Sequence, residues 1–383
     1  MRLDEQASGL NFIKYEAFDH VTLWVGNAKQ AAHFYCSTLG FEPLAYRGLE
    51  NGSRDIVSHV VCNDNAVFCF MSALKPGNKE FGEFLERHGD GVRDISFTVD
   101  NAKLCYETAI ARGATSVKEP HTLEDKHGSV VIATISLYDG THHSFIERKN
   151  YSGPFLPGYT RSIPNKMSEF LPKVSVNYID HCVSNQPDSK MLEVCEKYEN
   201  VLGFHRFWSV DDKDIHTQYS SLRSTVMADE AEHIKMPINE PANGLRKSQI
   251  EEFVEYYGGP GIQHIALNVD DVITTVTNLV DRGCDFLPTP KSYYENLRER
   301  LAESADRMKI KVTEDISVLE KLNILVDYDE NGYLLQIFTK PLQDRPTLFI
   351  EFIQRKNHNG FGAGNFKSLF ESIEREQEKR GNL

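Results

Sequence analysis

Phe18-Asp19-His20-Val21 opens a stretch that runs through a helix-like segment to Leu39-Gly40-Phe41. The second half of the chain answers it with Ile179-Asp180-His181-Cys182 and a segment ending in Leu202-Gly203-Phe204. In the later segment Met191, Val194, Cys195, Tyr198 and Leu202 fall on one helical face at spacings of three and four. The two glycines suit a left-handed helix stop. A second pair of segments agrees. Gly91-Val92-Arg93-Asp94-Ile95-Ser96-Phe97 leads to Val99-Asp100, a helix and Arg112-Gly113. Gly261-Ile262-Gln263-His264-Ile265-Ala266-Leu267 leads to Val269-Asp270, a helix and Arg282-Gly283. The interval from Asp94 to Arg112 equals that from His264 to Arg282. A third echo sets Phe145-Ile146-Glu147 against Phe349-Ile350-Glu351. Ordered echoes of this kind define a tandem duplication. Each half reads strand, helix, several strands, and then the same again.

Further strands are expected over Val130–Ser136, Leu222–Met227 and Leu334–Thr339. Asp327-Tyr328-Asp329-Glu330-Asn331-Gly332 reads as a hairpin turn between two apolar strands. It also mimics the opening of a calcium loop, but Phe338 stands where that loop needs an acidic ligand, which excludes calcium. The expected divisions are an arm over 1–14, a first barrel domain over 15–152, a Pro/Gly-punctuated linker over 153–177 and a second domain over 178–383. Residues 289–322, rich in charge and helix formers, read as an insertion in the second half. Phe366, Leu369, Phe370 and Ile373 make an apolar stripe on a terminal helix, after a glycine-rich Asn359–Gly364 segment able to act as a hinge.

Bulk properties narrow the function classes. The chain has 383 residues and a formal net charge of −14, with no concentrated basic stripe, which disfavours a nucleic-acid partner. No run approaches the roughly 18 apolar residues of a membrane span, and no obligate membrane partner is expected. The polar, acidic start does not read as a secretory signal. Seven scattered cysteines without a C-x-x-C pair suit reduced thiols in the cytoplasm. Cys182, beside His181, reads as a small buried hydrophobe.

Chemistry concentrates in the second half. His181, His264 and Glu351 each fall on a strand of a different repeat element. Two imidazoles and one carboxylate on one face of a metal leave three positions open, which suits non-haem Fe(II) holding a bidentate 2-oxo acid together with O2. A histidine taken at random from the fourteen present is more often a surface or satisfied core residue; position in the repeat is what singles out His181 and His264. The first half has His20 at the first position but Asp94 at the second, so it reads as having lost the triad. His20 and Asp94 default to structural roles. Alternation places Phe349, Glu351 and Ile353 on one strand face, and a carboxylate among apolar neighbours needs a partner.

The segments Asn27–Ala32, Arg206–Asp212, Lys235–Pro241 and Gln354–Phe366 resemble the 4-hydroxyphenylpyruvate dioxygenase family, and the likeness runs from about residue 15 to the C-terminus. That family lies in the vicinal-oxygen-chelate superfamily. The resemblance implies an α+β, glyoxalase-like fold of tandem βαβββ modules forming two open barrels, closed by a C-terminal helix. It puts Fe(II), one per chain, on His181, His264 and Glu351. It implies polar pocket residues at Ser224, Asn239, Gln249 and Gln336, and aromatic walls at Phe338, Phe349, Phe361 and Phe366. Asn365 and Phe366 would open a gating helix. Gln263 is also associated with the family's pocket, but alternation sets it opposite His264, so a role behind the ligands is expected.

The implied reaction takes 4-hydroxyphenylpyruvate and O2 to homogentisate and CO2, by oxidative decarboxylation, ring hydroxylation and side-chain migration, in tyrosine and phenylalanine catabolism. A homodimer is implied as well. Three alternatives stand beside it. Hydroxymandelate synthase shares metal and substrate but is understood to be apolar where Asn239 stands. A catalytically silent binding protein of the same fold is the second. A glyoxalase- or extradiol-type enzyme is the third. No Ser-His-Asp set offers a nucleophilic route.

Overall fold

The computed structural model describes residues 13–210, 221–242, 244–304 and 308–382. Most of the expected arm, Asp211 and Asp212, and part of the expected insertion lie outside them. The strands of the first half are β1 (Tyr15–Trp24), β2 (Glu42–Arg47), β3 (Ile56–Asn63), β4 (Ala66–Ala73), β5 (Gly91–Val99), β6 (Thr115–Asp125), β7 (Gly128–Ser136), β8 (His142–Tyr151) and β9 (Thr160–Arg161). Those of the second are β10 (Tyr178–Asn185), β11 (His205–Val210), β12 (Ser221–Ala228), β13 (Lys235–Ala242), β14 (Gly261–Asn268), β15 (Leu325–Tyr328), β16 (Tyr333–Phe338) and β17 (Phe349–Lys356).

The first sheet has the order β6-β7-β8-β5-β1-β4-β3-β2-β9 and the second β11-β12-β13-β10-β14-β17-β16-β15. Read from opposite ends the two orders coincide, apart from the added β9. Each is a curled open sheet of two βαβββ modules, joined where β1 meets β5 and where β10 meets β14, both antiparallel. The duplication therefore sets the architecture. The two halves share one apolar core, to which Phe41, Phe68 and Phe97 contribute from the first half and Tyr198, Ile265 and Phe352 from the second. Polar contacts cross between them as well. Tyr15 donates to the Leu202 carbonyl at 3.1 Å, and His143 Nε2 lies 2.9 Å from the Tyr198 hydroxyl.

The repeat extends to the way helices start. The amide of Ala28, at the N-terminus of helix Ala28–Ser37, donates to Ser72 Oγ on β4. At the corresponding place Met191 donates to Glu240 on β13. Ala102 donates to Glu147 on β8, and Val272 to Gln354 on β17. A neighbouring strand thus supplies an acceptor to a helix N-terminus whose amides would otherwise be orphaned.

This pairing corrects the third sequence echo. Ser96 pairs with Ser144 on β8, and the corresponding Ala266 pairs with Glu351 on β17. Glu147 therefore answers Gln354, and Ser144 is the residue that stands where Glu351 does. The matching Phe-Ile-Glu letters were three residues out of register, because both strands are apolar runs that read alike when slipped. Two other expectations are modified. The helix from Met191 ends as a π-turn over Tyr198–Leu202, with Gly203 left-handed at its close. Residues 153–177, expected as a linker, pack in part as sheet: Phe155, Leu156 and Tyr159 join a core beneath the first sheet, and β9 pairs with β2.

The hairpin expected after Asp327 joins β15 and β16, and Asp329 closes its turn by accepting from the amides of Asn331 and Gly332. Within residues 289–322 stand helices Lys291–Ser304 and Ile316–Lys321. The terminal helix spans Phe366–Arg380 and buries Leu369, Phe370 and Ile373. Among the described residues no helix is long and apolar enough to cross a membrane.

A buried ion pair braces the first half. Arg148 donates to both oxygens of Asp19, from Nε and Nη2, each at 2.7 Å. Burial alone would raise the Asp19 carboxyl, but Arg148, and then His20, outweigh it and hold the group well below the usual carboxylate range. The pair's contribution is therefore full above the unfolded value near 4 and is lost as pH falls through the lower folded value. Arg148→Met strands that carboxylate and is expected to cost about 3–5 kcal/mol at pH 7. Urea denaturation across pH should show the gap between the two proteins narrowing as pH falls through about 4; a gap independent of pH would contradict this assignment.

Candidate metal centre

Three adjacent strands in the middle of the second sheet bring one donor each to a common point. His181 lies on β10 and His264 on β14, where Val183 pairs with His264. Glu351 lies on β17, paired in parallel with Ala266 of β14. His181 Nε2 is 3.3 Å from Glu351 Oε2 and His264 Nε2 is 3.4 Å from the same atom. All three ligand atoms lie within 4.8 Å of one another, and all three residues are buried. Adjacent ligands about 2.1 Å from a metal are separated by about 3.0 Å in octahedral geometry, so the two His–Glu separations suit one ion, around which the imidazole nitrogens would draw together. Nitrogen, nitrogen and carboxylate is a donor set suited to Fe(II).

The outer partners set the rings. Asp180 Oδ1 accepts from His181 Nδ1 at 2.8 Å, which turns the Nε2 lone pair toward the centre. His264 Nδ1 faces Gln263 Oε1 at 3.2 Å, and Gln263 Nε2 donates to Gln249 Oε1 at 3.1 Å. Burial alone would raise the Glu351 carboxyl, but the His181 imidazole and hydrogen bonds from both rings hold it at about 2. Burial pulls His181 down; Glu351 and Asp180 outweigh it and raise the ring. At His264 burial wins and the ring is lowered. A divalent cation would give Glu351 the positive partner that the His181 ring otherwise supplies.

The expected pocket residues divide into three groups. His181, His264, Glu351, Ser224, Asn239, Phe338, Phe361 and Phe366 line one cavity of about 40 Å³. Gln249, Gln263 and Phe349 line an adjoining one of about 30 Å³. Phe349 stacks on His264 at 4.8 Å and stands between the two. Gln336 and Asn365 line neither. Gln336 is buried with its Oε1 lacking a hydrogen-bond partner. It lies beneath the left-handed Gly362, where a Cβ would come within 2.2 Å of that oxygen. Asn365 accepts from the Tyr293 hydroxyl at 2.7 Å.

Val183, Val226, Pro237 and Leu369 also line the metal-side cavity and were not expected as pocket residues, Leu369 having been read only as part of an apolar stripe. Each stands two strand positions, or one helical turn, from a residue that was: His181, Ser224, Asn239 and Phe366. Alternation and helical period would have found them. A larger concavity of about 920 Å³, lined by His33, Tyr46, His59 and Ile163 among others, lies on the first half. Among the described residues three potential ligand atoms converge only at the smaller site, which makes it the candidate centre.

The first half holds the same scaffold without the full donor set: His20 is kept, but the other two positions are changed. Asp19 Oδ1 meets His20 Nδ1 at 2.6 Å. Asp94 stands in place of His264 and accepts from Ser96 at 2.6 Å and from Ser144 at 2.8 Å. The space for an ion is filled by a hydrogen-bonded Asp-Ser-Ser cluster.

A family model described as the Glyoxalase/Bleomycin resistance protein/Dioxygenase superfamily matches residues 17–144 and 178–337. The chain is 58% identical to a 4-hydroxyphenylpyruvate dioxygenase of Caenorhabditis briggsae, over 96% of this chain and 93% of that one. It is 55% identical to the Dictyostelium discoideum protein of the same name, over 96% and 100%. Among solved structures it resembles a triple mutant of 4-hydroxymandelate synthase from Streptomyces coelicolor, with a TM-score of 0.81, 30% identity, and coverage of 95% and 99%. Fold and site, with these relatives, thus define a two-barrel dioxygenase of the glyoxalase superfamily. Within it, the chain belongs to the 4-hydroxyphenylpyruvate dioxygenase family.

Anaerobic titration of metal-free protein with Fe(II) should give one ion per chain. Glu351→Gln should weaken binding by more than the about 10- to 100-fold typical of changes to outer partners, and Asp94→Ala should leave it unchanged. Equal loss in both variants would remove the centre from the second sheet.

Proposed function

We propose that this chain converts 4-hydroxyphenylpyruvate and O2 to homogentisate and CO2, in the catabolism of tyrosine and phenylalanine. The observation that carries the reading is a buried His-His-Glu trio, set to hold one ion on one face, in a chain of this family. When bound, Fe(II) would supply open positions for O2 and a chelating 2-oxo acid, and would relay to O2 the electrons that the 2-oxo acid provides. The protein does the rest. His181, His264 and Glu351 hold the ion, while Asp180 and Gln263 keep both rings aimed. Phe338, Phe349, Phe361 and Phe366 wall the aromatic ring. Ser224, Asn239, Gln249 and Gln336 are the polar groups for the phenol and the product-forming intermediate. The partnerless Gln336 Oε1 supports this, since a buried acceptor left orphaned is costly unless a ligand completes it.

The metal-side cavity, about 40 Å³, has room for a few waters at the roughly 10–15 Å³ that each needs. Phe361, Phe366 and Leu369 line it, and withdrawal of the segment leading into the terminal helix opens it to substrate. Once it returns, water is excluded and the electrostatics of the site are strengthened. In this reading residues 15–152 form a barrel without metal chemistry, 153–177 join it to the catalytic barrel over 178–383, and the enzyme is a cytoplasmic homodimer.

The likeness to 4-hydroxymandelate synthase supports a second outcome, hydroxylation at the benzylic carbon. Asn239, polar and at the cavity wall, favours ring chemistry. Iron-loaded protein in an oxygen electrode should consume O2 when 4-hydroxyphenylpyruvate is added, with homogentisate as product, and His264→Ala should fall to background. A mandelate product would assign the synthase reaction. Iron uptake without O2 consumption would make the chain a silent binding protein.

A further inference from the structure

Arg355 stands between a metal ligand and the segment that closes over it. Its Nε and Nη2 donate to Asp180 Oδ2 and Oδ1 at 2.8 and 2.7 Å, and that carboxylate also holds His181 Nδ1. Its Nη1 donates to the carbonyls of Gly360 at 2.6 Å and His358 at 3.1 Å. The guanidinium carbon lies 5.6 Å from the centre of the Phe361 ring, and that ring packs edge-on against His181 at 5.1 Å. We propose that Arg355 is a positioning residue that couples the metal centre to the 358–366 segment, so that an ion at one steadies closure at the other. The proposal rests on the metal-centre reading above.

The duplication supplies a built-in comparison. Arg148 grips Asp19 with the same two nitrogens, Asp19 holds His20, and Arg148 lies 5.5 Å from the Phe155 ring, which packs edge-on against His20 at 4.8 Å. The clamp itself is therefore a device of the fold, present with or without metal ligands. What differs is what it joins. After Phe155 the chain runs into β9 and is fixed in the sheet; after Phe361 it runs into the wall of the cavity and the terminal helix. In the second half alone, the guanidinium links the partner of a metal-centre histidine to the segment that walls the cavity. A planar fork is needed for this, because one lysine ammonium cannot grip both carboxylate oxygens and two carbonyls in fixed geometry.

Two measurements test the coupling. In the first, amide hydrogen exchange of the unmutated protein is followed with and without Fe(II), under anaerobic conditions. Coupling is reciprocal, so iron should slow exchange across 358–366 as well as in the strands bearing the ligands. In the second, Arg355→Lys is compared with Arg148→Lys. The former should weaken Fe(II) binding by about 10- to 100-fold, abolish the iron-dependent protection of 358–366 and speed proteolytic cleavage there. The latter should lower the melting temperature and leave all three unchanged. Iron binding that protects the strands but not 358–366 overturns the coupling alone, as does equal behaviour of the two lysine variants. Failure of the unmutated protein to take up iron removes the metal-centre reading and this inference together.

Discussion

A carboxylate buried among apolar side chains is the constraint on which the second half is organised. Glu351 is 3% exposed, on a strand whose neighbours are Ile350, Phe352 and Ile353. Such a charge is tolerated only with close positive or hydrogen-bonding partners. Two imidazoles from neighbouring strands meet one of its oxygens, and each is in turn fixed by a group behind it. Sheet pairing delivers this: β14 lies between β10 and β17, so three ligands distant in sequence become neighbours across strands.

The two halves show what happens when that constraint is kept or released. Both retain the Asp-His-Arg clamp and the strand-to-helix hydrogen bonds, which belong to the folding of the module. Only the second has all three donors, since the first keeps His20 alone. In the first, Asp94 and Ser144 replace His264 and Glu351, and the carboxylate is satisfied by two serine hydroxyls. Burial now raises Asp94, although the serines and His20 oppose it. A solid hydrogen-bonded cluster can occupy the place of an ion without disturbing the sheet around it.

The duplication and the converging trio were legible in the sequence because they rest on strong local signals: Asp-His before an alternating strand, a glycine helix stop, and equal intervals. The register of β8 was not. Phe-Ile-Glu recurs in both halves, and a three-letter match on an apolar strand cannot distinguish the true alignment from one slipped by three. The deciding facts are pairings between strands distant in sequence, and the Arg148 and Arg355 contacts that follow from them. The role of 153–177 was hidden for a similar reason. Proline and glycine punctuation reads as linker, while the burial of Phe155 and Tyr159 depends on a sheet formed elsewhere. The pocket's polar residues came from family likeness, and the division of Gln249 and Gln263 from Asn239 and Ser224 by the stacked Phe349 ring is a matter of tertiary packing that no periodicity carries.

The central claim is that the trio leaves adjacent positions open for a chelating 2-oxo acid. Anaerobic addition of 4-hydroxyphenylpyruvate to the iron-loaded protein, followed by visible absorption, tests it most directly. The account predicts a charge-transfer band that saturates at one substrate per iron and is lost on Glu351→Ala. Substrate binding with no such band, or a band unchanged by that substitution, would contradict it.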